Sequence, residues 1–369
     1  MQGAWRIGRL FGVDTFVHWT FLIIPALAYA ASMQSGGGAV WGVVAVLYVL
    51  TIFACVLFHE LGHALMARRF GIATRDITLL PIGGIARLER MPEAPAQELL
   101  IAVAGPLVNV AIAGVIFAGL TLAGEELVPV DVAPSVGVFF TSVFWTNLVL
   151  AGFNCLPAFP LDGGRVLRAL LAFRLDYLRA TRIAAAVGQV LGVALGIIAL
   201  LSQQFVLVVI SVFIVFAARA ELRAIRLRHA FRGVRVRQGM VTEVRTLAAN
   251  ASLEDAARAL LAGAQQDFPV LDGGRLVGLL TRPLVVRGLA TLGAGAPVSS
   301  VAVRVPLPLD PDDDLEQVLA RLQEGPAIPV VEHGRLVGLL TADNLLELQM
   351  IRQARSESEH GVAGEPATV

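Results

Sequence analysis

Apolar positions gather in six long runs, near residues 16–33, 39–66, 97–123, 135–157, 184–201 and 204–220. Each approaches or exceeds the length needed to cross roughly 30 Å of hydrocarbon, so the pattern predicts six spans. Between the second and third runs, RDITLLPIGGIARLER has β-branched and Leu positions on either side of a Pro/Gly-Gly turn, which predicts a short hairpin at or within the interface. The third run contains AGPLVN. The fourth is interrupted by Asn154, Pro157, Pro160 and Asp162, which places irregular backbone at membrane depth. Such backbone is tolerated only where protein or water satisfies it, so this span is expected to face a polar cavity.

Beyond about residue 226 the pattern becomes that of a soluble α/β protein, and the chain repeats itself. FPVLDGGRLVGLLT (268–281) and IPVVEHGRLVGLLT (328–341) share GRLVGLLT, and each follows an amphipathic stretch, SLEDAARALLA or DLEQVLARLQE. The expectation is a duplicated β-α-β-β unit with pseudo-twofold packing. The end of the chain, SESEHGVAGEPATV, is polar and without periodicity, and is expected to be disordered.

Composition agrees with a membrane protein: 56% of residues are apolar and the mean hydropathy is +0.72. The net charge is zero, with Arg and no Lys balancing Asp and Glu, so nothing suggests a nucleic acid polymer or an acidic partner. The arginines are unevenly placed. MQGAWRIGR, MARRFGIATR, GGRVLRALLAFRLDYLRATR and AARAELRAIRLRHAFRGVRVR hold most of those in the first half, whereas ASMQSGGGA and GEELVPVDVAPS hold none. With six spans every Arg-rich segment falls on one side, which predicts cytoplasmic N- and C-termini. Arg6 and Arg9 ahead of an apolar run ending Ala28-Tyr29-Ala30 resemble a signal peptide, but Thr15, His18, Trp19 and Thr20 within the run favour an uncleaved first span. Cys55 and Cys155 stand far apart in apolar segments, form no metal-binding pair, and are expected to be core residues.

Chemistry concentrates in FHELGH, residues 58–63. Histidines at i and i+4 share a helix face, so His59 and His63 can offer ring nitrogens to one ion, while Glu60 lies beside them as a base for water. Zinc suits imidazole and carboxylate donors, and a catalytic site needs a third protein ligand. Asp162 is the leading choice, with Gly163 and Gly164 permitting close backbone approach, although such an Asp can also cap a helix. Asn154 is either an oxyanion donor or a structural partner for carbonyls freed by Pro157. His18, His229, His333 and His360 lie in interfacial or soluble contexts and are set aside. A gated transporter or channel, and an inactive membrane scaffold, are the rival classes. The transporter predicts ionisable residues in several spans, whereas those seen here collect at His59, Glu60, His63 and Asp162.

FHELGHALMARRFGI together with NCLPAFPLDGGRVL resembles the site-2 proteases, zinc enzymes that cut within the membrane, and the tandem repeat resembles paired CBS domains. The resemblance is to the sporulation-factor type with CBS domains and reaches from the first span to about residue 350. It implies a polytopic α-helical membrane protein of six transmembrane helices with a short membrane-associated β-hairpin, followed by a soluble α/β tandem CBS domain. The expected organisation is a protease domain at 1–225, a basic linker at 226–238, a CBS pair at 239–350 with repeats at about 239–292 and 298–350, and a disordered tail at 351–369. The resemblance further implies one Zn2+ held by His59, His63 and Asp162, with Glu60 as catalytic base and Asn154 as the active-site asparagine. It implies a strand at Gly83 and Gly84 against which an unwound substrate adds. The implied substrates are single-span membrane proteins or signal-peptide remnants, in a bacterial or archaeal cell membrane and among its lipids. For the CBS pair it implies ATP or another adenine nucleotide, contacted by Thr341 and Asp343, and a homodimer formed through these domains. The first repeat departs from the pattern, since Thr281 is followed by Arg282 and Pro283.

Overall fold

A computed structural model describes residues 3–81, 83–89, 91–125, 127, 136–305, 307–322, 325 and 327–362. The chain forms two compact units, Met1–Ile225 and Arg226–Val369.

The first unit opens with strands, not a helix. β1 (Ala4–Leu10) and β2 (Val13–His18) pair antiparallel across a two-residue turn, Phe11-Gly12, in which both residues have positive φ (48° and 90°). That is the turn whose twist matches paired strands. α1 (Ile23–Gln34) and α2 (Gly38–Arg69) follow, then β3 (Thr74–Leu80) and β4 (Gly83–Leu88). The expected hairpin is therefore present, but as half of a four-stranded sheet ordered β1-β2-β3-β4, in which β2 and β3 run parallel. The first expected span consequently loses its start to β2. Its helical part, Trp19–Gln34, is a shorter apolar helix.

Among the described residues, five further helices are long and apolar enough to cross a membrane: α2, α3 (Pro95–Leu122), α4 (Val136–Asn154), α6 (Tyr177–Leu201) and α7 (Phe205–Ala230). Their outward positions are large and apolar, as at Val115, Leu122 and Phe205, while the buried ones are mostly small: Ala64, Ala102, Ala104, Gly105, Ala184, Gly188 and Gly192. Small residues let helix backbones approach, which is how helices associate where lipid removes the hydrophobic drive. The fourth expected span stops at Asn154, and Asp162 begins a separate helix, α5 (Asp162–Ala172). Cys55 is buried as expected. Cys155, in the loop between α4 and α5, is exposed, because the chain leaves the helix before its side chain can turn inward.

The second unit carries the duplication. The first repeat contains β5 (Leu247–Ala248), α8 (Leu253–Leu261), β6 (Asp267–Asp272), β7 (Arg275–Thr281) and α9 (Arg282–Leu292), and the second contains α10 (Leu315–Leu322), β8 (Ala327–Glu332), β9 (Arg335–Thr341) and α11 (Ala342–Val362). Each hairpin has the same register, Phe268 opposite Leu280 and Ile328 opposite Leu340, as identical GRLVGLLT segments require. The basic segment expected to be a linker is not merely a connector: Phe231, Val234 and Val236 are buried in the core of the second repeat with Val330, Leu340 and Leu345. α11 continues past 350 to Val362, and residues 363–369 of the expected tail lie outside the described residues.

Asp267 is buried at the start of β6, and burial, reinforced by the nearby Asp343 carboxylate, raises its pKa above the ordinary carboxylate value. A raised carboxylate pKa means that the folded state disfavours the charge. The contribution of Asp267 to stability is thus fully present below its unfolded pKa and is lost as pH rises through the folded one. Asp267→Asn is expected to raise the thermal midpoint of residues 226–362 by a few degrees at neutral pH, followed by proteolytic susceptibility of this unit in the full chain, and to change it little near pH 4.

Candidate metal centre

α2 carries both histidines on the face that meets α3, and the fit depends on the absence of a side chain at Gly105. A Cβ there would lie 2.3 Å from His63 Nε2 and 2.7 Å from His59 Nε2. α5 brings its first residue, Asp162, to the same point because Gly163 and Gly164 pack on the loop backbone. Their Cβ atoms would fall 2.3 Å from the Cys155 carbonyl oxygen and 2.6 Å from the Phe159 nitrogen. The result is a triangle: His59 Nε2, His63 Nε2 and Asp162 Oδ2 are each 3.1 Å from the other two. All three residues are buried.

The tautomers follow from main-chain acceptors. His63 Nδ1 lies 2.7 Å from the Ile101 carbonyl, which only accepts, so Nδ1 carries the hydrogen and Nε2 the lone pair. For His59 the reasoning runs through two amides. Asn147 Nδ2 donates to the Val143 carbonyl (2.9 Å), which turns its Oδ1 toward Asn109 Nδ2 (2.7 Å). Asn109 then presents Oδ1 to His59 Nδ1 (2.6 Å), and His59 too must donate there. Three lone-pair atoms therefore converge with no hydrogen between them, an arrangement that a cation resolves. A tetrahedral zinc with bonds of about 2.0–2.1 Å would separate its ligands by roughly 3.3 Å, close to the triangle found. The residues fit zinc, and both imidazoles have the outer partners that metal-binding histidines need.

Asn109 and Asn147 were not predicted from the sequence. In AGPLVN the amide of Asn109 sits in an apolar helix, where no spacing announces a partner on another helix. Ile101 is equally invisible, since what it contributes to His63 is a main-chain carbonyl, which no side chain marks.

Glu60 stands beside the triangle and is not part of it. Its Oε2 accepts from the Ala86 N–H of β4 at 3.2 Å. Asn154 Nδ2 donates to the Leu150 carbonyl (3.0 Å), back along its own helix. Gly83 and Gly84 open β4, the outer strand of the sheet, with Gly84 against the Glu60 side chain. In the second unit Thr341 Oγ1 accepts from the Asn344 N–H at 3.3 Å and meets the Asn344 side chain, so it caps α11, while Asp343 is exposed. A cleft of about 330 Å³ in that unit is lined by Thr242, Thr246, Gly274 and Arg335 among others, and includes neither Thr341 nor Asp343.

Further ionisable groups lie in the first unit. Arg168 of α5 is fully buried, giving Nε to Glu98 of α3 (2.7 Å) and Nη1 to Glu221 of α7 (2.7 Å), between the rings of Phe159 and Tyr177. These charges are paired, and they pin the helix whose first residue is Asp162.

Helical spans that bring two imidazoles and a carboxylate to one buried point, with a second carboxylate beside them, define a membrane-embedded metallopeptidase. The profile of Peptidase family M50 matches residues 47–133 and 129–198, and that of the CBS domain matches 234–290 and 298–350. The chain is 29% identical to zinc metalloprotease MJ0392 of Methanocaldococcus jannaschii, over 97% of this chain and 99% of that protein. It is 33% identical to the "Putative zinc metalloprotease Rip3" of Mycobacterium tuberculosis, over 94% and 93% respectively. Among solved structures, the site-2 protease from Methanocaldococcus jannaschii is 34% identical, covering 59% of this chain and 95% of that one at a TM-score of 0.44. The chain belongs to peptidase family M50, the site-2 metalloproteases, in a form that carries a tandem CBS pair.

Asn109→Leu, which removes the acceptor from His59 Nδ1, is expected to weaken zinc binding about 10–100-fold, measured by chelator competition on the purified protein. Gly105→Ala should abolish it, since a methyl would occupy the space of both Nε2 atoms.

Proposed function

We propose that the protein is an intramembrane zinc endopeptidase that hydrolyses peptide bonds in the membrane segments of single-span proteins or signal-peptide remnants. The observation that carries this reading is the 3.1 Å triangle of His59, His63 and Asp162, with Glu60 next in sequence to one ligand. A zinc ion held there would acidify water and polarise a carbonyl oxygen. Glu60 takes a proton from the attacking water at a carboxylate oxygen as the water oxygen bonds to the scissile carbonyl carbon, then gives it to the leaving nitrogen as the C–N bond breaks. His59 and His63 keep their Nδ1 hydrogens on Asn109 and Ile101 throughout. Asn154 steadies the oxyanion with the second hydrogen of its Nδ2, the first being donated to the Leu150 carbonyl.

The substrate is read as an extended backbone added to β4 at Gly83 and Gly84. The place of β4 at the end of the strand order, beside the residue carrying the base, supports this. Only an unwound segment offers free main-chain groups, so a membrane helix must open before it is cut. In the second unit, Thr341 and Asp343 are proposed to contact an adenine nucleotide that regulates cleavage. A separate cleft of the same unit, lined by Arg335, Thr242 and Thr246 among others, offers further groups suited to phosphate and ribose. A homodimer through the CBS pair is proposed with it. Both termini, and with them the CBS pair, are proposed to be cytoplasmic, a reading the Arg-rich segments support.

Co-expression with a single-span substrate tests the peptidase reading. Glu60→Gln is expected to lower cleavage by about 10²–10⁴-fold while the purified variant still binds one zinc. Full cleavage by this variant, or a wild-type protein that binds zinc and cuts no such substrate, would exclude it. Reporter fusions near residue 128 and at the C-terminus test orientation, with external and cytoplasmic signals expected in that order.

A further inference from the structure

The position of Glu60 raises a question about when it acts as a base. In an antiparallel pair, residues alternate between those that exchange main-chain bonds with the partner strand and those whose N–H and C=O face away. Ala86, opposite Ile77, donates its N–H to Glu60, which lies beyond the edge of β4, and this assigns it to the outward set; Gly84, two residues earlier, shares its direction. β4 is the last strand of the sheet. Among the described residues no further strand pairs with β4, so the outward groups of Gly84 and Ala86 form its edge, and the carboxylate of Glu60 has taken one of them.

A second, steric observation agrees. A Cβ on Gly84 would lie 2.6 Å from Glu60 Cγ and 3.3 Å from its Cδ. The glutamate side chain therefore lies flat across the backbone of β4 and reaches the N–H two residues along. The strand cannot retreat from it, since Ala86 packs with Leu57 against a core that includes Leu61, Ala64 and Ile77.

We propose that the Ala86 N–H is the resting partner of Glu60, and that an extended substrate backbone adding to β4 takes over this N–H with one of its own carbonyl oxygens, releasing the carboxylate to the attacking water. The proposal rests on the reading of β4 as the substrate strand. It makes Ala86 a positioning residue that acts through its main chain, with Gly84 as the floor that lets the base lie down. No bond beyond hydrogen bonds is made or broken: one acceptor leaves an N–H and another arrives. The base is then free only when a strand is present, which couples peptide unwinding to proton transfer.

Hydrogen exchange of the Ala86 amide, resolved by fragmentation mass spectrometry on the full chain in lipid nanodiscs, tests the handover without reference to turnover. In the wild-type protein this amide is expected to exchange about tenfold or more slowly than in Glu60→Ala, as loss of a hydrogen bond to a charged group requires. Glu60→Gln, which keeps an acceptor oxygen, should retain most of the protection. The Ile85 amide, in the inward set, should be unchanged in all three, which reports that the sheet is intact. Adding a synthetic single-span peptide of Leu and Val to Glu60→Ala should restore slow exchange at Ala86. Equal exchange in the wild type and Glu60→Ala would overturn the resting contact. Protection by Glu60 that no peptide can replace would overturn the handover, and neither result depends on whether the enzyme cuts the co-expressed substrate.

Discussion

Three lone-pair atoms held 3.1 Å apart inside a protein that lipid surrounds are the constraint from which the rest of the first unit follows. Such atoms repel in a medium of low dielectric and stay together only if an ion lies among them and the groups behind them cannot turn away. The groups behind are anchored to main chain. His63 ends on the Ile101 carbonyl, and His59 ends, through Asn109 and Asn147, on the Val143 carbonyl. A helix carbonyl is the least movable acceptor a protein has, so ring orientation is inherited from α3 and α4 rather than from the histidines themselves.

The carboxylate corner of the triangle is held by different means. Asp162 starts a helix separated from α4 by a seven-residue loop, 155–161, and depends on Gly163 and Gly164 to press that helix on the loop. Arg168, two turns along α5, is bound to Glu98 and Glu221 with no exposure of its own. Buried ion pairs of this sort add little net stability, but removing one partner strands the other at a cost of about 3–5 kcal/mol. Arg168 thus supplies registration, fixing α5 along its axis against α3, which also carries Gly105 and Asn109.

The groups that converge were legible in the sequence because metal binding demands fixed spacings: two histidines one helical turn apart, an acid next to the first, and an Asp before two glycines. The β3–β4 hairpin and the duplicated GRLVGLLT strands were legible for a similar reason, since period-two alternation around Gly-rich turns has few alternative structures. β1 and β2 were hidden because their alternation runs into an apolar helix without a break, and because the turn is Phe11-Gly12 rather than a pairing typical of such hairpins. Asn109 and Asn147 were hidden because each is meaningful only through the other, 38 residues away. Phe231, Val234 and Val236 read as linker since arginines surround them, yet they fill the core of a repeat that begins dozens of residues later.

The parallel pairing of β2 with β3 has a consequence for how the chain threads the bilayer. Both strands belong to one sheet, so whatever leaves β2 must return to the same depth and the same leaflet before β3 begins. α2 is long enough for a full passage, and if it makes one, Trp19–Gln34 must make the opposite one. Sixteen helical residues extend only about 24 Å, several ångströms less than the hydrocarbon is thick. The shortfall is met if the sheet is sunk below the headgroups, which would set the edge of β4, with Glu60 beside it, within the hydrocarbon itself.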